Sequence, residues 1–260
     1  MRYFIFSNQD QRSLQLTDYI KNILLKEEFV FDEENPEIVI SIGGDGRMLK
    51  CVERFSDKLD AVKFIGISTG TLGFLCDYQV EEVDDLLNSL KSTQFEVEKK
   101  RLINVSCNEY NNYFLNEVRV EKIFNTLKCE VYINDYLLEK FRGNGFNFAT
   151  PTGSSAYNRS LGGPLLDISF NGYIFGEIAP INHKEYRSIN SFLILKETDV
   201  VTLKGDFKNC YVGGDTSYHE IKEAFSDEIK IKFSNKYAQF IHYKNINYIQ
   251  KVKNSFVIGG

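Results

Sequence analysis

One change in the rhythm of apolar residues limits this chain more than any other feature. Up to about Gln94, short apolar runs alternate with stretches of helical spacing. Tyr3–Phe6, Ile38–Ile42 and Val62–Ile67 read as strands. Leu14, Leu16, Ile20, Ile23 and Leu24 have helical spacing, as do Met48–Phe55 and the set Val83, Leu86, Leu87 and Leu90. Such β-α-β-α order predicts a mostly parallel sheet covered on both faces. Beyond residue 94 the period becomes two. "FEVEKKRLINVSC" and "YFLNEVRVEK" alternate, with a turn offered by "NEYNNY". "KCEVYI", "ND" and "YLLEKF" read as a tight hairpin, and "DEIKIKF", "SNK" and "YAQFIHY" as a second one. A helix-like insert falls near Ser154–Leu161, and "NINYIQKVKNSF" reads as a closing helix. The expected architecture is an α/β N-terminal domain with a mostly parallel sheet over residues 1–97. A C-terminal domain rich in antiparallel β-strands follows over 98–243, and a segment 244–260 packs back on the first domain.

Composition bounds the function. The 260 residues can bury a sizeable core, and 43% hydrophobic with 26% charged residues is ordinary for a globular protein. A net charge of −5 argues against nucleic acid as a partner, so an anionic ligand needs local donors. Cys51, Cys76, Cys107, Cys129 and Cys210 are odd in number and include no CxxC, which points to reduced thiols in a cytoplasmic protein. The N-terminal "MRYFIFSNQDQR" lacks a signal-peptide core, and no run of about 18 apolar residues exists to span a membrane.

Chemistry concentrates in three stretches. In "IVISIGGDGRMLK" a strand runs into Gly43, Gly44, Asp45 and Gly46, and a helix follows. Glycines let a ligand approach the backbone, and their N–H groups beside a helix N-terminus cradle an anion. A carboxylate there repels phosphate unless its partner is a hydroxyl, or a metal carried by the phosphate. In phosphoryl transfer it can take the proton of the attacking hydroxyl. Lys50 can lean back toward the same helix end. Equally, the four residues form a tight turn with Asp45 capping the helix. In "FNFATPTGSSAYNRSLGG" a strand ends at Thr150-Pro151 and a hydroxyl-rich turn follows, with Tyr157 offering a stacking face. The bland alternative is a Ser/Thr-capped helix. Asn116 and Glu117 point to opposite faces of a regular strand and can act together only at a strand end or bulge. Otherwise they are a solvated strand end. Gly213-Gly214-Asp215 has no helix after it and reads as a turn, and Glu81–Asp85 reads as a solvated helix face. His183, His219 and His242 form no HExxH or similar pattern, so a zinc site held by the protein is not expected.

Taken together, "GGDG" at Gly43–Gly46, "TGTLGF" at Thr69–Phe74, "NE" at Asn116-Glu117, "FRGNG" at Phe141–Gly145 and "TPTGSSAYNRSLGG" at Thr150–Gly163 resemble the bacterial NAD kinases in motif order and separation. The resemblance implies phosphoryl transfer from ATP or polyphosphate to the 2′-hydroxyl of the adenosine ribose of NAD, giving NADP. It implies Asp45 as catalytic residue, with Gly43, Gly44, Gly46 and Lys50 at the phosphates. Phe74, Asn116, Glu117, Arg142, Asn144, Thr152, Ser155, Ala156, Tyr157, Asn158, Ser160 and Ala179 fall at positions that bind NAD. Mg²⁺, or another divalent cation, would arrive with ATP, and the chain would self-associate to a homo-oligomer, commonly a tetramer. Arg47 stands where the family has Thr or Ser, and Asn144 where it has Asp. Other readings are a lipid or sugar kinase sharing GGDG, or an NAD(P) sensor without turnover.

Overall fold

Ile38–Ile42 (β3) is buried along its whole length, as a central strand of a sheet covered on both faces must be. In the computed structural model, which describes residues 1–92, 94–108, 110–222, 228–244 and 247–257, the chain divides into two units. The first comprises Met1–Lys100 with Tyr237–Gly260, and the second Arg101–Lys236.

In the first unit β1 (Arg2–Ser7), α1 (Gln11–Lys26), β2 (Val30–Phe31), β3, α2 (Asp45–Arg54), β4 (Lys63–Ser68), β5 (Tyr78–Gln79) and α3 (Val83–Leu90) follow in order. The strands pair parallel in the order β2-β1-β3-β4-β5. Alternate strand residues face opposite helices. Tyr3, Ile5, Ile40, Ile42 and Ile67 pack with Leu16, Ile20 and Leu24 of α1 and Leu86, Leu87 and Leu90 of α3. On the other face Phe4 meets Phe55 beside α2, which buries Met48, Leu49, Cys51 and Val52.

The remaining strands are β6 (Glu96–Cys107), β7 (Tyr110–Phe114), β8 (Glu117–Glu121), β9 (Leu127–Ile133), β10 (Tyr136–Gly143), β11 (Gly145–Ala149), β12 (Gly172–Ile178), β13 (Leu193–Lys196), β14 (Val200–Gly205), β15 (Cys210–Gly214), β16 (Ser217–Ile221) and β17 (Glu228–His242). A one-turn helix α4 (Tyr157–Ser160) follows β11, and α5 (Tyr248–Phe256) comes last. Within the second unit the pairings named here are antiparallel. One sheet runs β13-β12-β11-β8-β15-β16, and another joins β10, β9, β14 and residues 228–232 of β17. Their facing residues, among them Val118, Val120, Phe146, Phe148, Phe175, Val131, Phe141, Leu203 and Ile231, form one core. The two-residue turn of the β9–β10 hairpin has positive φ at both Asn134 and Asp135, which suits its Asn-Asp sequence.

Two expectations need correction. Ser234–Lys236 is not a hairpin turn. None of the three has positive φ, and β17 continues through them as a single strand. Residues 228–232 pair with β14, whereas Gln239 and Phe240 pair parallel with β4, so neither half is available to the other. Asp227, which the expected hairpin included, lies outside the described residues. The alternating stretch Tyr113–Lys122 is likewise two strands, because it breaks at Leu115-Asn116, where Asp215 takes the main-chain N–H groups. The closing helix is α5. Asn247 caps it, accepting from Gln250 N–H at 2.8 Å, and the Asn245 and Ile246 of that expectation lie outside the described residues.

Candidate functional site

The first unit supplies the glycine turn. β3 ends at Ile42, Gly43 N–H donates to Ile67 O at 2.9 Å, and α2 opens at Asp45 with Gly44 as its cap residue. Gly43 has φ +151°, and a Cβ there would lie 2.8 Å from Arg47 Cβ, so only glycine fits. A Cβ on Gly44 or Gly46 meets nothing within 4 Å. As first residues of a ten-residue helix, Asp45 and Gly46 precede its first intrahelical bond, so their N–H groups are donors free of the ladder.

Asp45 does not cap its own helix. Its carboxylate crosses to the turn after β4, where Phe74 N–H donates to Oδ2 at 2.8 Å and Leu75 N–H to Oδ1 at 3.0 Å. A Cβ on Gly73 would run into the carboxylate, so that glycine is required for the approach. Each oxygen spends one acceptor site on a main-chain donor and keeps another for a ligand hydroxyl. Phe74 packs against Tyr248 and Phe256 of α5. Arg47 is pinned away from the turn, since Nε donates to Asn8 Oδ1 at 2.7 Å and the guanidinium lies 5.0 Å from the Phe6 ring centroid. Lys50 is exposed on α2.

The second unit gathers the Asn-Glu corner and the hydroxyl-rich turn. Asn116 immediately precedes β8, and a strand end is one of the two placements, with a bulge, in which it can act beside Glu117. Thr150 joins the two stretches: its N–H donates to Asn116 O at 2.9 Å and its hydroxyl to Leu115 O at 2.6 Å. A Cβ on Gly153 would collide with the Asn116 backbone. Asp215 holds the corner, accepting N–H from Leu115 at 2.6 Å and from Asn116 at 2.8 Å. Glu117 is 6% exposed, and its Oε2 has no hydrogen-bond partner among the described residues. Burial, then the Asp215 charge, pushes its pKa up to about 8 against the pull of Arg119. The Arg119 guanidinium lies 4.6 Å from the Tyr157 ring centroid and so occupies one of its two faces.

Thr152–Ser155 is a 3-10 turn that spends several of its donors locally. Gly153 N–H goes to Thr150 Oγ1, Ser154 N–H to Pro151 O and Ala156 N–H to Gly153 O. α4 has one turn and adds little dipole. Thr152 is buried, Ser155 and Ala156 are half-buried and Ser160 is exposed. Asn158 is fully buried, and its Nδ2 donates to Ser154 O and Pro164 O, which fixes the loop. Arg142, Asn144 and Ala179 form a separate group. Asn144 N–H donates to Ile178 O at 3.0 Å, and Ile181 N–H to Arg142 O at 2.7 Å. Asn144 Nδ2 donates to Lys122 O, Arg142 Nε to Thr126 Oγ1, and Ala179 has φ +46°. A non-glycine residue held there marks a constrained position. Sequence reasoning missed Gly73, Arg119 and the role of Asp215; for Asp215 the only signal was the turn that contains it.

Among the described residues no three His, Cys, Asp or Glu side chains gather to hold a metal, and no helix is long and apolar enough to cross a membrane. All five cysteines are free and buried.

Solved structures of similar fold set the class. "Crystal Structure of Yeast NADH Kinase complexed with NADH" covers 100% of this chain and 88% of its own, with a TM-score of 0.84 at 16% identity. An NAD kinase from Archaeoglobus fulgidus in complex with ATP covers 97% and 96%, with a TM-score of 0.77 at 22% identity. The fold is therefore that of a two-domain kinase. The model of the ATP-NAD kinase N-terminal domain matches residues 8–95, and that of the C-terminal domain matches 111–243. The NAD kinases of Latilactobacillus sakei and Limosilactobacillus reuteri are each 33% identical, over 99% and 100% of this chain and 98% and 99% of theirs. The chain belongs to the NAD kinase family, a family of phosphotransferases.

Proposed function

We propose that this protein transfers the γ-phosphoryl group of ATP to the 2′-hydroxyl of the adenosine ribose of NAD, giving NADP and ADP. The observation that carries the reading is the Asp45 carboxylate, fixed by two main-chain donors at a turn whose glycines leave room for phosphates. Asp45 accepts a hydrogen bond from the 2′-hydroxyl and takes its proton as the new O–P bond forms. The bond from the γ-phosphorus to the bridging oxygen breaks, and ADP leaves. The open N–H groups of Asp45 and Gly46 and the Lys50 ammonium stabilise charge on the phosphoryl oxygens, which the small Gly44 lets approach. Divalent metal enters as part of the substrate, bound to the ATP phosphates.

Asn116 and Glu117 hold the adenosine. Glu117 Oε2 takes a donor from the ligand, which would relieve a buried acceptor left without a partner among the described residues. Phe74, Arg142, Asn144, Thr152, Ser155, Ala156, Tyr157, Ser160 and Ala179 shape the rest of the dinucleotide site, and Asn158 shapes it through the loop it anchors. The protein works as a homo-oligomer in the cytoplasm. The test is to incubate purified protein with ATP, Mg²⁺ and NAD and to follow NADP with an NADP-specific dehydrogenase. NADP should form in proportion to enzyme, and its absence with every donor tried, alongside normal NAD binding, would overturn the reading.

A further inference from the structure

Among the described residues the mechanism leaves two buried lysines unused, Lys100 and Lys251, and Lys251 is the one that reaches the turn holding Asp45. Lys251 lies on α5, near the end of the chain, and its side chain is 6% exposed. Its ammonium donates to Phe74 O at 2.9 Å and to Asp77 Oδ1 at 2.9 Å. The peptide that offers Lys251 its carbonyl belongs to the residue whose N–H holds Asp45. On the same helix Tyr248 and Phe256 flank the Phe74 ring, with centroids 6.2 and 5.5 Å away. Residues 74–77 are thus held from both sides, by Asp45 through two N–H groups and by α5 through one ammonium and two rings.

Asp77 is in turn fixed by His242, whose other nitrogen lies 3.1 Å from Glu98, and Glu98 pairs with the buried Lys100. A buried ammonium costs several kcal/mol of desolvation unless it is well paired. Stability alone is a weak reason to hold one at this carbonyl, because an apolar side chain could fill the same space.

We propose that Lys251 is a positioning residue for phosphoryl transfer: by bridging the Phe74 carbonyl and Asp77 it fixes the turn that aims the Asp45 carboxylate. The proposal rests on the reading of Asp45 given above. It makes α5 part of the apparatus that aims Asp45, acting through Phe74 and Asp77. Misplacing a reacting group by about 1 Å can cost on the order of 10²-fold in rate.

A double-mutant cycle in turnover tests this. Lys251→Met, normalised to NAD-binding stoichiometry so that unfolded protein is not counted, should lower kcat roughly 10- to 100-fold with little change in the KM for ATP. In an Asp45→Asn background the same substitution should lower the residual turnover less than about 3-fold, because the group it positions is already gone. Equal factors in both backgrounds would mean a purely structural role and would overturn the proposal, as would normal kcat in Lys251→Met. If Lys251→Met melts below the assay temperature, Lys251→Gln, which keeps one N–H donor, is scored by the same cycle. Failure of the underlying reading is seen separately, as near-normal turnover in Asp45→Asn alone.

Discussion

The two units treat their buried carboxylates in opposite ways. In the first, Asp77 meets Lys251 and His242, and Glu98 meets His242 and Lys100. Burial opposes the charged forms, yet these partners win: Asp77 is lowered, and Glu98 falls to about 2. In the second, Arg119 does not offset the burial of Glu117 beside Asp215, and Glu139 lies against Glu177, so burial and a like charge raise each of Glu117 and Glu139 to about 8. The first unit is built around fixed charges, and the turn they brace holds the Asp45 carboxylate through two main-chain donors. The second keeps acceptors that are only partly satisfied, as a surface that takes its last hydrogen bonds from a polar ligand would.

The largest effect should come from the rigid side of this contrast. Asp45→Asn keeps an acceptor for one of the two main-chain donors and loses the base. It should lower kcat roughly 10²–10⁴-fold while calorimetry shows NAD binding nearly unchanged. Near-normal turnover would remove Asp45 from the chemistry. Next comes the approach itself. Gly73→Ala places a methyl group where the Asp45 carboxylate lies, so the carboxylate must move. A kcat loss of about 10²-fold with a folded, NAD-binding protein is expected, and a loss below 3-fold would show that rigid aim is not needed.

The partly satisfied side predicts a pH effect. Glu117 binds its proton more tightly folded than unfolded, from the ordinary carboxylate value up to about 8. Its contribution is therefore full below about pH 4.5 and is lost as pH rises through 8. Glu117→Gln, which mimics the protonated form, should gain thermal stability relative to the native protein between pH 5 and 9, by a few °C in Tm. Saturating NAD should shrink that gain if the ligand supplies the missing donor. A constant offset across this range would mean that Glu117 is ionised in the free protein.

What the sequence disclosed follows the range of the forces involved. The glycine turn was legible because strand, turn and helix are neighbours, and each residue type has a local reason to be there. The β9–β10 hairpin was legible for the same reason. Asp45's actual partners were not, because its carboxylate reaches residues 29 and 30 positions away rather than its own helix. Asp215 and Lys251 were further out of reach, bonding across 99 and 177 positions. Local patterning names a turn containing Asp215 but says nothing of what its carboxylate will hold. "SNK" misled because polar residues of turn type also serve in an extended strand when both flanks already have partners.

His242 sharpens the contrast from the side of the fixed charges. Burial would lower its pKa, but its hydrogen bonds to Asp77 and Glu98 outweigh that and raise it to about 9. The groups facing it are Asp77 and Glu98, each with a lysine, Lys251 or Lys100, on its far side. A raised folded value means that the stabilisation is full below about pH 6.5, the unfolded value, and is lost as pH climbs through 9. Glu98, lowered to about 2, sets the acid edge: its share is full above about pH 4.5 and disappears toward pH 2. The imidazolium should therefore be worth most between pH 4.5 and 6.5. His242→Gln should cost about 2 kcal/mol in that window and much less above pH 9, read as the gap between the two melting curves. A gap that stays constant from pH 6 to 10 would mean the ring contributes by packing alone, and the first unit would then not be organised around its charges.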